Sequence, residues 1–409
     1  MQIPAREELI RRVRALPAAA PLLAAVGPEP GVHLVGGAVR DLLLGGAEGL
    51  EQVVDLDLVA EGDVAALAAR LGGRYVVHER FGTASVVLDG HAYDLATARR
   101  ETYARPGALP DVAPAMLRED LLRRDFTVNA MAITLGGPQA GELTAAPGAR
   151  EDLAAARLRV LHERSFIDDP TRLIRLARYA SRLGFEVEPT TLALARAAVA
   201  GGALGTVSGP RIGSELRLLA REDDPVAALA ALAELGVDRA IDPRLGIADP
   251  GLARRALALL PPDGRRDVLS LALAAAAIPS SELAILLDEL AFDADSRDAI
   301  VSTASGAELV AGALAAATRP SEIAAAVASA RPELVALAGA LGPEDQAREW
   351  LERLRHVRLE IDGDDLIAAG VPQGPAVGQG LRAALTAKLD SRASGRASEL
   401  AAALEAVQG

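Results

Sequence analysis

Asp55 and Asp57 stand two positions apart in the β-branched run Val53-Val54-Asp55-Leu56-Asp57-Leu58-Val59. In a strand, residues two apart project from one face. Two carboxylates side by side repel each other, and a bound cation relieves that. Just upstream, the apolar run Val32 to Val35 meets Gly36-Gly37, and Val39 to Leu44 then reads as a helix carrying Arg40. A glycine turn into a helix N-terminus suits a phosphate. Metal plus phosphate is the chemistry this spacing points to. A carboxylate pair can hold two Mg²⁺ ions, one activating an attacking oxygen and one stabilising a leaving pyrophosphate. Asp94, in the strand-like HAYDLATA, is a candidate third ligand, and it equally fits a solvent-facing strand position.

Two further segments carry charge in patterns that need an account. In LLRRDFTVNAMA (121–132), Arg123-Arg124-Asp125 reads either as an exposed helix turn with internal ion pairing or as Arg124 facing a triphosphate with Asp125 fixing its fork. In FIDDPTRLIRLARYASRLGF (166–185), Asp169-Pro170 has the form of a helix start, with Asp at the N-cap and Pro at the first helical position. Arg172, Arg175, Arg178 and Arg182 follow. At about 100° per residue they cover an arc of roughly 120°. Leu173, Ile174, Leu176, Ala177, Ala180 and Leu183 fill the opposite face. Four arginines on one short face either meet solvent or gather a polyanion, and phosphate or RNA is the favoured partner.

The elements that must position these groups follow from pattern. Residues 32–100 alternate strand, glycine turn, helix, acidic strand, a helix near 62–71, a strand at 74–78, and a hairpin of 84–88 with 91–96. Asp89-Gly90 joins that hairpin, and Asp-Gly is a strong hairpin turn pair. The Pro/Gly-rich stretch 104–115 reads as a loop. From about 165 onward Ala/Leu periodicity predicts helices, broken by Pro/Gly near 242–251, 261–264, 342–344 and 370–380. A chain of 409 residues is expected to form two to four domains.

Composition bounds the setting. Cysteine is absent, which excludes disulfides and thiolate metal sites and fits a reducing cytoplasm. No apolar run approaches the ~20 residues of a membrane helix, so no membrane partner is expected. Glu7 and Glu8, with Pro17 and Pro21, argue against reading the N-terminus as a signal peptide. Net charge is -13, yet residues 99–182 hold 14 basic and 11 acidic side chains. The positive charge is local, so the overall sign leaves an RNA partner open. Lys388 is the only lysine, and aromatics are 2% of the chain, too few for a surface that stacks many bases.

Together, LVGGAVRDLLLG with DLDLV, EDLLRRDFTVNAMA, and Asp168-Asp169-Pro170-Thr171-Arg172 resemble the motifs of class II tRNA nucleotidyltransferases and bacterial poly(A) polymerases. Further on, VSGPRIGSELRLLA (207–220) and LEIDGDDLIAAGVPQGPAVGQGL (359–381) resemble later motifs of that family. The resemblance implies an α+β fold: a polymerase-β-like head (1–160), then an all-α neck (161–222), body (223–345) and tail (346–409). It implies Mg²⁺-dependent transfer of CMP and AMP from CTP and ATP to the 3′ end of tRNA. Asp55 and Asp57 would hold the metal. Gly37, Arg40 and Arg124 would meet phosphates and sugar. Asp169 and Arg172 would read the base, with Arg175 and Arg178 supporting the nucleotide. Asp168 stands where many members carry Glu, and Thr144 where Asp is expected. Residues 98–115 fall where the family has its flexible element for switching from C to A. Addition of CC alone, of the final A alone, or of a poly(A) tail are alternatives within the family. A catalytically silent RNA-binding protein of the same fold, and a nucleotidyltransferase that modifies a protein, are alternatives of other classes.

Overall fold

The structure, a computed structural model, describes residues 4–45, 55–78 and 82–408. Two N-terminal helices, α1 (Arg6–Arg14) and α2 (Ala19–Val26), lead into β1 (Val32–Val35) and α3 (Gly37–Gly45). β2 (Asp55–Ala60), α4 (Val64–Leu71), β3 (Arg74–His78), β4 (Thr83–Leu88) and β5 (His91–Thr97) follow, close to the expected bounds. Val53 and Val54, expected at the start of the acidic strand, lie outside the described residues. Asp89 and Gly90 take φ of 52° and 82°, the positive pair that a tight hairpin turn needs.

The stretch expected as a loop carries structure of its own. β6 (Arg99–Thr102) pairs antiparallel with β7 (Asp111–Pro114), so residues 99–114 form a ribbon with a Pro/Gly tip. Short strands with Pro at the end give little periodicity to detect. Next come α5 (Leu117–Leu122), a single 3-10 turn at Thr127–Asn129, β8 (Met131–Thr134), β9 (Leu143–Ala145), α6 (Ala149–Ala154), α7 (Ser165–Asp168) and α8 (Arg172–Leu183).

Seven strands form one sheet in the order β3-β4-β5-β2-β1-β8-β9. β2 and β5 are parallel, in register Asp57↔Asp94, and β1 pairs antiparallel with β2 and with β8. Leu56 and Leu58 on β2, and Tyr93 and Leu95 on β5, are buried, while Asp57 and Asp94 are exposed. Alternation therefore sends one face into the core and leaves the other open with its carboxylates.

The chain divides into two compact units: residues up to Ser208 with Glu234–Ala240, and Gly209–Ala233 with Ile241 onward. The second unit is helical, and Leu269, Leu314, Val335 and Leu351 lie in its main core. A separate small core gathers Ile361, Leu366, Val371, Ala384 and Ala403 at the C-terminal end. Among the described residues one helix, Ala294–Ala316, has the length and apolar composition to cross a membrane, contrary to the expectation that no run approaches that length. Its Ala307, Ala311 and Leu314 lie in the helical core, and Asp295, Arg297 and Asp298 occupy its first turns.

Candidate nucleotide and metal site

Gly36 ends β1 at φ +74°, a conformation that costs any residue with a Cβ about 1–2 kcal/mol. The turn lets α3 start at Gly37, directly beside the acidic strand. A Cβ built on Gly36 lies 3.5 Å from Asp57 Oδ2 and 3.5 Å from Arg124 Nη1. One backbone position thus borders a carboxylate of the first motif and a guanidinium of the second. Asp57 and Asp94 face the same open side in adjacent strands, and Asp94 Oδ1 accepts a hydrogen bond from Ser85 Oγ at 2.8 Å. The Asp55 backbone belongs to β2, two residues from Asp57, and its side chain lies outside the described residues. Among the described residues no cluster of three metal-ligating side chains forms. The donors at hand are carboxylate oxygens, the set a hard divalent cation such as Mg²⁺ takes, so the residues fit that ion.

The arginines are held by a connected set of hydrogen bonds. Arg40, 3% exposed, donates from Nη1 to Asn129 Oδ1 at 2.7 Å and from Nε to Asp41 Oδ1 at 2.8 Å. Asn129 in turn donates from Nδ2 to Asp125 Oδ1 at 3.1 Å, and Arg175 donates from Nε to Asp125 Oδ2 at 2.9 Å. A single path of hydrogen bonds runs from α3 through the 125–129 turn to α8. Burial alone would raise the Asp125 carboxyl; Arg175, Asn129 and the Phe126 N–H outweigh it and hold it down to about 2. Asp152, buried on α6, accepts from Thr127 Oγ1 at 2.8 Å and fixes the same turn from behind.

This arrangement corrects the reading in which Asp125 fixes Arg124. Arg124 instead donates from Nη2 to Asp120 Oδ2 at 3.1 Å, and Arg123 donates from Nη2 to Asp120 Oδ1 at 2.7 Å and from Nη1 to Glu101 Oε1 at 2.9 Å. Asp120 precedes the two arginines by three and four residues, the spacing of neighbours on a helix face. The side chain of Asp125 belongs to α8.

α8 also departs from expectation. Its first residue is Arg172, and Asp169 lies in the turn before it, accepting from the Thr171 N–H at 3.1 Å and the Thr171 hydroxyl at 2.6 Å. The N-cap position is Thr171. Arg172 and Arg178 are 5% and 6% exposed, nearly as buried as the leucines between them, and of the four arginines only Arg182 is exposed. The arginine arc therefore faces packed protein over most of its length. Arg172 donates to Ser165 Oγ at 2.7 Å and to the Arg123 carbonyl at 2.6 Å, which ties the third motif to the second. Beside it opens a cavity of about 300 Å³ lined by Arg100, Tyr103, Arg123, His162, Asp168 and Arg172. That is the lower end of small-ligand pocket sizes.

Of the residues singled out from the sequence, Gly37, Arg40, Arg124 and Arg175 thus belong to adjoining turns and helix ends and Asp57 to the strand beside them; Arg172 lines the cavity together with Asp168, while Asp169 lies in the turn before α8 and is not among the lining residues. Asp120 and Asn129 were not singled out. Asn129 had a signal: a lone amide inside the apolar run FTVNAMAI has to be hydrogen-bonded once buried.

Residues 32–159 match the poly(A) polymerase head domain. The A-adding tRNA nucleotidyltransferase of Halalkalibacterium halodurans is 45% identical over 217 residues, 51% of this chain and 50% of that protein. The chain spans about half, or less, of the length of the A-adding relatives it matches. The CC-adding tRNA nucleotidyltransferase of Deinococcus radiodurans is 34% identical over 366 residues, 87% of this chain and 84% of that protein. The apo form II of a CCA-adding enzyme superposes with a TM-score of 0.78 at 29% identity, over 99% of this chain and 100% of that one.

Proposed function

Because the chain belongs to the tRNA nucleotidyltransferase and poly(A) polymerase family, we propose that it adds CMP and AMP from CTP and ATP to the 3′ end of tRNA without a nucleic-acid template. The observation that carries this is the path Arg40–Asn129–Asp125–Arg175, which joins two guanidiniums, one from α3 and one from α8, through the 125–129 turn, close to the open carboxylate face that Gly36 borders. In this reading Asp55 and Asp57 hold Mg²⁺. When bound, the metal activates the attacking 3′ hydroxyl and stabilises the leaving pyrophosphate. The start of α3 at Gly37, with Arg40 and Arg124, meets the phosphates and sugar, and Arg175 and Arg178 support the nucleotide from α8.

Asp169 and Arg172 choose the base. Cytosine and adenine both present an exocyclic amino group and a bare ring nitrogen on the Watson–Crick edge; uracil and guanine present a keto oxygen and a ring N–H. A carboxylate accepts hydrogen bonds and a guanidinium donates them, so the pair suits C and A and opposes U and G. We assign residues 1–160 to the head, 161–222 to a neck, 223–345 to a body and 346–409 to a tail that contacts tRNA, in a cytoplasmic enzyme.

The test uses tRNA transcripts ending before, within and after CC, incubated with Mg²⁺ and with CTP and ATP singly and together. Completion of CCA on the shortest transcript supports this reading. The 45% identity to an A-adding relative over half the chain favours a second one, addition of the final A alone. In that case only transcripts already ending in CC are extended, and only by ATP.

A further inference from the structure

We propose that Tyr179 is a positioning residue of the nucleotide site, its ring holding the guanidiniums of Arg40, Arg175 and Arg178 in one cluster; this rests on the reading above of those arginines as phosphate-facing. Tyr179 lies on α8, half-buried, where α3 and the 125–129 turn meet that helix. The guanidinium carbons of Arg40, Arg175, Arg178 and Arg182 lie 5.7, 5.8, 5.2 and 6.0 Å from the ring centroid. All are within the range at which the negative face of an aromatic ring attracts a cation. Phe126 meets the ring at 83° and 5.9 Å between centroids, an edge-to-face contact that fixes its tilt.

The ring solves a problem that a carboxylate solves badly. Like charges gathered for a triphosphate repel each other until the nucleotide arrives. A carboxylate at their centre would hold them together and then compete with the phosphates for the same N–H donors. A ring face attracts cations through its quadrupole and takes up none of their N–H donors. Asp41 and Asp125 already occupy one edge each of Arg40 and Arg175, which leaves the ring as the neutral element common to the cluster. The Tyr179 hydroxyl forms no hydrogen bond among the described residues, so the ring and not the phenol carries the role.

The test separates ring electronics from ring volume. Tyr179→Phe keeps wild-type nucleotide binding. Tyr179→Leu raises the KM for CTP and ATP about tenfold, while kcat and the KM for tRNA stay within about twofold. Phenylalanine carrying one, three and five fluorines at position 179 keeps the shape and drains the ring face; affinity for CTP, read by calorimetry without tRNA, falls stepwise at constant Tm. Wild-type CTP affinity across the fluorinated series overturns the proposal, as does a Tyr179→Phe variant as weak as Tyr179→Leu. A wild-type protein that binds CTP and extends no tRNA instead overturns the functional reading, and the calorimetric series still tests the ring.

Discussion

Asp125 stays ionised although it is 6% exposed, because Arg175, Asn129 and a backbone N–H all bond its charged form. Its carboxyl is held down to about 2 against an ordinary 3.8, so the folded protein keeps the charge at a pH where the unfolded chain takes up a proton. The resulting stability, roughly 2 kcal/mol, is complete above about pH 4 and is lost as pH falls toward 2. Asp125→Asn is expected to lower Tm at pH 7 and to flatten the acid limb of a Tm–pH curve; an unchanged acid limb would place the acid sensitivity in another group. Asp57 contrasts with it. It is exposed on the open sheet face, so Asp57→Ala should leave Tm within a degree or two and slow nucleotide addition by about 10³-fold or more. At Asp169 and Arg172 the expected effect is on choice. Alanine at either position lowers use of CTP and ATP and narrows the gap to UTP and GTP, each mispaired group costing about 1–3 kcal/mol. Full discrimination in a slow variant would move the choice of base elsewhere and leave Asp169 a structural part of the turn, where it bonds Thr171. Arg172→Ala should also cost stability, since the side chain is buried and bonds Ser165 and the Arg123 carbonyl.

Between the chemical groups stand the turns and helices that hold them. Gly36 is the narrowest of these. A Cβ there has room, at 3.5 Å from its nearest neighbours, so Gly36→Ala strains the backbone and not the packing. We expect a loss of about 1–2 kcal/mol in denaturant titration together with weaker nucleotide binding, as the turn re-aims α3. Gly107, at the tip of the 99–114 ribbon, is different. A Cβ there would stand 2.3 Å from Thr206 Oγ1 and 2.6 Å from its carbonyl oxygen. Gly107→Ala is expected to lift the tip, seen as faster proteolysis within 103–110 at little change in Tm. The order of strands and helices between residues 32 and 97 was readable from the sequence because period-2 alternation and an Asp-Gly turn leave strong local marks; the helices α1 and α2 before it were not read. The ribbon was not, because β6 and β7 are four-residue strands with mixed burial. Nor was the start of α8: Asp169-Pro170 has the form of a helix start, and here it makes a turn that precedes one. Helical spacing also could not show that Arg172 and Arg178 are packed, because what covers them comes from segments distant in the chain.

Across the whole molecule, one unit carries the open carboxylate face and the arginine cluster, and the other is helical with two hydrophobic cores. A buried arginine can take its partner from far along the chain, as Arg40 does from Asn129, 89 positions away. Motifs in order along a chain can therefore suggest a site, while the pairing inside it depends on the fold. That is why one of the two sequence readings gave Asp125 to its chain neighbour Arg124, whereas it bonds Arg175, 50 positions on. The central claim is that this assembled site transfers nucleotides to tRNA through the carboxylates of β2. The most direct measurement gives labelled CTP and ATP with Mg²⁺ to a tRNA transcript lacking its 3′ end, and compares wild type with Asp57→Ala by product length and by tRNA binding. The account predicts stepwise extension by C, C and A with wild type, and no extension with intact tRNA binding for the variant. Equal extension by both proteins would contradict it.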